Sequence, residues 1–149
     1  MAKFLYRMQN ILELKQKIEE QEKANFGVAT AKFNEEQTKL REIMLRQQEY
    51  EQHLKEISVG EINVSEIKTT RGAIASMKVA LRDQMLEVSK AQKLMENARR
   101  RLNAVMMERK MHEKLKEHAF EEFLDEMDRE ESKIVDELVS YSYFKNEDE

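Results

Sequence analysis

Three histidines, His53, His112 and His118, are the side chains of this chain best suited to proton transfer or metal binding near neutral pH. His112 and His118 lie six residues apart, a spacing that puts them on different faces of a helix with about 3.6 residues per turn. The chain contains no cysteine, so thiol catalysis and disulfides are excluded. We therefore expect ordinary surface or seam-edge histidines, with no catalytic residue, no metal site and no cofactor.

Short motifs with a chemical mechanism are also missing. The sequence has neither a glycine-rich phosphate loop nor a His-Glu-x-x-His pair. Its formal net charge of −4 argues against nucleic-acid binding, because that binding depends on neutralising phosphates. No apolar run approaches the roughly 18 residues of a membrane span, and the charged first turns predict no signal peptide. We expect a non-enzymatic, soluble, cytoplasmic protein without direct membrane insertion.

Charge is banded along the second half of the chain. Carboxylates crowd residues 121–137, whereas residues 90–116 are strongly basic. Such banding is typical of a solvated helix face with i,i+4 ion pairs. The alternative is charge-guided docking of a partner, because complementary charges steer encounter and fix register.

Composition favours long helices as the elements that position these charges. Charged residues make up 38% of the chain and apolar residues 40%, with no proline and only three glycines. A sheet protein needs turn residues far more often. The sequence therefore predicts an all-α fold whose apolar burial runs along a narrow seam between helices.

Two heptad seams support that prediction. In the first, apolar residues recur at steps of three and four between Phe26 and Ile57, while Lys15 and Glu22 interrupt the upstream stripe and suggest a register shift. The second runs from Ile74 to Val105 at the same steps, with the small residues Ala91 and Ala98 inside it. Arg109 and His112 occupy the next two seam positions, after which a stripe reappears in a new frame at Phe120, Leu124, Met127, Ile134, Leu138 and Tyr141.

The stretch between the seams, residues 58–66, predicts a bend. Gly60 suits a left-handed cap and Ser65 suits a helix N-cap. The predicted fold is a single coiled-coil domain over residues 1–149, with helix one at about 3–58, a bend at about 59–65 and helix two at about 66–143. The two long helices form an antiparallel coiled-coil hairpin with the second helix longer. An intermolecular coiled coil of straight helices is the alternative.

With the bend near residue 62, Phe4 faces about Phe120 and the rest of helix two overhangs. The overhanging stripe from Phe120 to Phe144 then lacks an intrachain partner. An unpaired apolar stripe predicts a protein interface. The alternatives are that the helix bends back or dimerises there.

Two charged runs in the last third of the chain give a more specific indication. Residues 108–117 read Glu-Arg-Lys-Met-His-Glu-Lys-Leu-Lys-Glu, and residues 129–137 read Arg-Glu-Glu-Ser-Lys-Ile-Val-Asp-Glu. With the Lys-Phe-Leu-Tyr-Arg-Met opening and the two-helix layout, the whole chain resembles the FliJ family of flagellar export proteins. The resemblance implies a non-enzymatic stalk of the bacterial flagellar type III export apparatus, similar in fold to the gamma subunit of rotary ATP synthases.

The resemblance also implies partners. These are the hexameric flagellar export ATPase, the cytoplasmic part of the export-gate membrane protein and flagellar export chaperones, at the inner-membrane periphery of the flagellar base. Carried over by position, the ATPase-binding residues are Arg109, Lys110, Glu113, Leu115, Glu117, Lys133, Asp136 and Glu137, and the gate-binding residues are Ala73, Met77, Ala80 and Gln84. Ala73 departs from the large aromatic of the family, and Ser132 from its usual glutamine. A generic, prefoldin-like or self-associating coiled-coil adaptor is the alternative function.

Overall fold

The computed structural model describes residues 2–147 and contains two α-helices, with no strand among those residues. Helix α1 spans Gln9–Ile57 with 49 residues, and helix α2 spans Val64–Glu147 with 84 residues. The prediction of an all-α fold with two packed helices, the second longer, is confirmed. Neither described helix combines the length and the apolar character needed to cross a bilayer.

Two compact units share these helices. One unit is Glu20–Asn103, and the other combines the chain up to Glu19 with the part from Ala104 onward. In the unit Glu20–Asn103, His53 Nε2 lies 3.2 Å from Glu66 Oε1, close to the bend, and Arg101 Nε lies 3.5 Å from Glu22 Oε2, far from it. The helices of this unit therefore run antiparallel.

The other unit shows the same direction of pairing. Lys15 Nζ lies 2.7 Å from Glu108 Oε2, and the ring of Phe4 packs edge-on against Phe120 at 5.1 Å and against Phe123 at 5.5 Å between centroids. The predicted pairing of Phe4 with Phe120 is confirmed. Helix α1 begins at Gln9, not near residue 3, because the preceding segment is non-helical and brings Phe4 onto these two rings.

The bend follows the last residue of α1, Ile57. Gly60 has a φ of 86°, the left-handed conformation that was predicted for it and that favours glycine. Helix α2 is capped by Asn63, whose Oδ1 accepts from the backbone N–H of Ser65 at 3.1 Å and of Glu66 at 3.4 Å. The prediction of Ser65 as the N-cap is wrong, because Asn63 already satisfies these first free donors.

The seam between α1 and α2 keeps one heptad register where the sequence predicts changes of frame. On α1 the least exposed positions continue through charged residues: Leu12, Lys15, Glu19, Glu22 and Phe26. On α2 they continue beyond Val105 through Arg109, His112, Lys116, Ala119 and Phe123. Both predicted register changes are therefore wrong, because charged side chains occupy seam positions when a partner across or along the seam neutralises them.

The buried core is thin because two helices can cover only one stripe of each other. Its apolar members below a tenth exposed are Leu12, Ile74, Ala91 and Ala98, and its polar members are Glu19, Glu36 and Thr70. Burial of Ala91 and Ala98 agrees with their predicted seam positions.

Glu36 forms a polar layer within the unit Glu20–Asn103. Gln84 Nε2 donates to the Glu36 carboxylate at 2.6 Å and to the Glu36 backbone carbonyl at 2.9 Å. Lys32 Nζ lies 2.9 Å and Lys39 Nζ 3.5 Å from the same carboxylate. Hydrogen bonds from Lys32 and Gln84 lower the pKa of Glu36 from 4.5 to about 2. A buried polar pair of this kind fixes the register of a seam.

This depressed pKa predicts a pH dependence of stability. Because the folded-state pKa is the lower one, Glu36 contributes its stabilisation fully above pH 4.5 and loses it as the pH falls towards about 2. We expect Glu36→Gln to lower the Tm at pH 7 by on the order of 5 °C. The difference in Tm between the wild type and this variant is expected to decrease steadily as the pH falls from 4.5 to 2. Circular dichroism melts across this range measure it. The matched control is Glu35→Gln, whose side chain is 57% exposed; an equal loss in that control contradicts the role of Glu36.

Replacement of glycine by alanine is expected to have opposite effects on stability at two positions, Gly60 and Gly72. Gly60→Ala places a side chain at a φ of 86° and is expected to destabilise the fold by about 1 kcal/mol. Gly72 lies inside α2, and a Cβ there meets nothing within 4 Å, so Gly72→Ala is expected to stabilise by about 1 kcal/mol through helix propensity. Urea denaturation of both variants checks the two signs, and a shared sign contradicts the prediction.

Candidate interaction site on the second helix

The end of α2 carries a fully exposed segment. From residue 128 to residue 147, every residue is exposed although α2 remains helical. We call residues 128–147 the overhang. It begins after Met127, not at Phe120 as predicted, because Phe4 packs against the rings of Phe120 and Phe123 and because the seam register continues to that point.

The overhang has one apolar side. Its large apolar side chains are between 55% and 69% exposed and comprise Ile134, Val135, Leu138, Val139, Tyr141, Tyr143 and Phe144. Val135, Leu138 and Val139 line a shallow groove of about 380 Å³ with Ser142, Tyr143 and Asn146. At about 100° per residue, Ile134, Val135, Leu138, Val139 and Tyr141 fall on one side of the helix. We call these five residues the apolar side.

The three overhang residues predicted to bind the ATPase lie on the other side. Lys133, Asp136 and Glu137 are exposed, and at about 100° per residue they fall outside the arc of the apolar side. Residues 128–147 contain six Asp and Glu against three Lys and Arg, a formal charge of −3. The overhang therefore offers an apolar contact surface beside an acidic one.

Arg109, by contrast, is a seam residue. Its guanidinium forms ion pairs with Glu19 through Nε and with Glu113 through Nη1 at 2.8 Å, and its side chain is only 20% exposed. The hydrogen bonds to Glu113 and Glu19 raise the pKa of Arg109 above its usual range. On the same stretch, Lys15 donates to Glu108 and lowers the pKa of that carboxyl. Arg109 thus holds α1 and α2 together within this unit.

The other predicted ATPase-binding residues of this stretch face two directions. Glu113 and Glu117 line a groove of about 420 Å³ whose remaining lining residues are Phe4, Leu12, Gln16, Lys116 and Phe120. Leu115 is 49% exposed and, at about 100° per residue, lies roughly 160° around α2 from both glutamates. Lys110 is exposed.

The predicted gate-binding residues Ala73, Met77, Ala80 and Gln84 are all half-buried along the side of α2 that faces α1. Gln84 is engaged with Glu36 as described above. Ala73 and Ala80 are small residues that precede the seam positions Ile74 and Leu81.

Histidines play no shared role in this arrangement. His53 pairs with Glu66, and His118 Nδ1 lies 3.7 Å from Glu121, while His112 is a half-buried seam residue. Among residues 2–147, no group of His, Asp and Glu side chains could hold a metal ion.

The sequence prediction did not include Phe4, Gln16 and Lys116 among the site residues. The heptad pattern could have predicted Lys116, since the second seam continues from Val105 through Arg109, His112 and Lys116 at steps of four, three and four. The pairing of Phe4 with Phe120 is predicted, but no sequence pattern predicts that Phe4 reaches this ring from a non-helical segment.

Comparison with known proteins identifies the family. The family model described as Flagellar FliJ protein matches residues 4–148, nearly the whole chain. No curated protein and no solved structure matches the sequence.

Proposed function

The chain belongs to the flagellar FliJ protein family, and from that membership we propose that it docks the hexameric flagellar export ATPase through the end of α2. As a family member it is a component of the flagellar protein export apparatus. The proposed role is non-enzymatic: it promotes assembly and activity of the ATPase and links that enzyme to the rest of the machinery.

The apolar side of the overhang carries this proposal. Five large side chains on one side of a helix remain 55–69% exposed, and monomeric proteins keep such contiguous apolar surface small unless it binds something. A helix of this kind docks into a groove of its partner with residues at i, i+3, i+4 and i+7. In this proposal the five residues of the apolar side, Ile134, Val135, Leu138, Val139 and Tyr141, provide the contact.

The charged residues have a second part in the proposed contact. Lys133, Asp136 and Glu137 lie beside the apolar side and remain in water, so they steer the encounter and select the orientation. Lys110, Glu113 and Glu117 extend the charged surface towards the paired part of the helices. Arg109 supports the contact indirectly, since its ion pairs with Glu19 and Glu113 hold this stretch of α2 on α1.

The remaining partners are proposed because the chain belongs to this family. We place the export-gate contact on the half-buried edge formed by Ala73, Met77, Ala80 and Gln84, where Ala73 and Ala80 let a partner approach closely. Flagellar export chaperones are further proposed partners. The proposed location is the cytoplasmic side of the inner membrane at the flagellar base.

Leu115→Ala tests the ATPase contact in the full chain. Because Leu115 is 49% exposed, the substitution is expected to change the Tm by less than about 2 °C and to weaken ATPase binding about five- to tenfold. Co-purification and stimulation of ATP hydrolysis by the export ATPase measure the contact. The matched control is Leu45→Ala on α1, a residue 59% exposed. Equal losses of thermal stability and binding, or no binding by the wild type, contradict the proposal.

Light scattering distinguishes the proposed function from a self-associating adaptor. A monomer of 17.8 kDa is expected, because the apolar side then remains available to the ATPase. A stable multimer that dissociates when Leu138 is replaced by Asp favours the adaptor.

A further inference from the structure

The outward side of α2 in the unit Glu20–Asn103 carries exposed apolar side chains that the proposed function does not use. Val79, Met85 and Leu86 are 58%, 57% and 58% exposed, so α1 does not cover them. Exposed apolar residues that occur singly are ordinary, but these three lie within eight residues of one helix. A cluster of this kind on a chain with 38% charged residues indicates a contact surface.

Basic side chains surround this cluster. At about 100° per residue, Lys78, Arg82 and Lys93 fall within the same arc of roughly 120° as the three apolar residues, and no carboxylate between residues 71 and 93 falls inside that arc. We call Lys78, Val79, Arg82, Met85, Leu86 and Lys93 the outer face. Within residues 2–147, no salt bridge engages any of its three cations.

The first part of α2, residues 64–103, is more basic than the rest of the chain. Between residues 64 and 103 the helix carries nine Lys and Arg against four Asp and Glu, a formal charge of +5, although the whole chain has −4. Lys90 and Arg101 of this region form ion pairs with Glu87 and Glu22, whereas the cations of the outer face form none with the residues that the structure describes. Such an excess of basic side chains attracts an acidic partner and speeds its encounter.

The spacing of the outer face further restricts the kind of partner. Val79, Arg82 and Leu86 follow each other at steps of three and four, which is the spacing that a helix presents to a neighbouring helix in a coiled coil. The aliphatic stem of Arg82 contributes apolar area while its guanidinium stays in water. A third helix packed here would place its own seam against Val79 and Leu86 and its carboxylates beside Lys78, Arg82 and Lys93.

We propose that the outer face is a docking site for an acidic amphipathic helix of another protein. The site uses none of the residues proposed for the ATPase or the export gate, so this proposal can be tested independently of both contacts. An anionic membrane surface fits the geometry less well, since three apolar side chains give little insertion and a bilayer does not require heptad steps.

Binding of a designed probe to the full chain tests the proposal. The probe is a synthetic acidic helix of three heptads with leucine at its seam positions and glutamate beside them, and a second peptide carries glutamine in place of each glutamate. Fluorescence anisotropy is expected to show that Leu86→Gln and Arg82→Glu each weaken binding of the acidic peptide about tenfold, equivalent to about 1.4 kcal/mol. The glutamine peptide is expected to bind the wild type at least about tenfold more weakly.

Leu45→Gln is the matched control, because Leu45 is 59% exposed and lies on α1; it is expected to change binding less than about twofold. Circular dichroism melts of all variants confirm that each one folds. The proposal is overturned if Leu45→Gln weakens binding as much as Leu86→Gln, or if the two peptides bind equally. Wild-type binding to phosphatidylglycerol vesicles that Leu86→Gln abolishes, without peptide binding, overturns it in favour of a lipid contact.

A photo-crosslinking residue at position 86 in cells identifies the natural partner segment. The expected crosslink joins position 86 to a helical segment in which Asp and Glu outnumber Lys and Arg, while a probe at position 45 does not give it. A crosslink to a basic or non-helical segment, or the same products from both positions, contradicts the proposal.

Discussion

Replacing Val135, Leu138 and Val139 together with alanine is expected to weaken binding to the export ATPase roughly 100-fold or more, because anchors of a helix-in-groove contact each contribute about 1–2 kcal/mol or more. The three side chains line one groove and are 55%, 61% and 62% exposed. Alanine keeps the helix, since it has the highest helix propensity. Isothermal titration calorimetry with the purified ATPase measures the effect, and stimulation of ATP hydrolysis should fall in parallel.

The control for this variant is a triple alanine substitution of Val28, Met44 and Leu45 on α1. These residues are 72%, 48% and 59% exposed, so the control removes a similar number of exposed apolar atoms. Neither triple variant is expected to change the Tm by more than a few degrees, because none of the six side chains is buried. The proposed docking mode is wrong if the α1 variant loses as much ATPase affinity as the overhang variant.

Leu12→Ala is expected to have the largest effect on folding. Leu12 is 3% exposed and is the buried large apolar residue of its unit. Truncating a buried leucine costs about 2–5 kcal/mol. We expect about 2–3 kcal/mol, because Leu12 already borders a groove that it shares with Phe4 and Phe120, so water can enter the space that is left. Urea denaturation followed by circular dichroism gives the change in the free energy of unfolding.

Leu14→Ala provides the comparison for Leu12→Ala two residues along the same helix. Leu14 is 54% exposed, and its replacement is expected to change the free energy of unfolding by less than about 0.5 kcal/mol. Similar costs for the two variants would mean that Leu12 does not belong to the seam. The placement of the heptad register in this unit would then have to change.

The charged seam around Arg109 explains why the sequence predicted false register changes. A seam is recognised from the sequence only where its residues are apolar. On α1 the apolar pattern is interrupted by charged residues at seam positions, namely Lys15, Glu19 and Glu22. In the structure, Arg109 neutralises Glu19, Lys15 donates to Glu108 and Arg101 lies 3.5 Å from Glu22. A charge at a seam position is tolerated when an opposite charge accompanies it, because an unpaired buried charge is far more destabilising. Which residue supplies the opposite charge depends on how the helices pair.

The sequence by itself determined the fold class, the two long helices, the bend and its left-handed Gly60, the pairing of Phe4 with Phe120 and the family. Heptad steps and turn residues are local properties, so these conclusions need no knowledge of distant contacts. Only the tertiary structure decided that Asn63 caps α2, that α1 starts at Gln9, that Glu36 pairs with Gln84 and Arg109 with Glu19, and that the overhang begins after Met127. The pairs formed by Glu36 and Arg109 and the extent of the overhang depend on which side chain lies opposite across the two helices, and that choice is made by packing and by charge neutralisation, which no periodic pattern contains. The Asn63 cap is local, but Asn63 and Ser65 are both favourable N-cap residues, and composition alone does not choose between them.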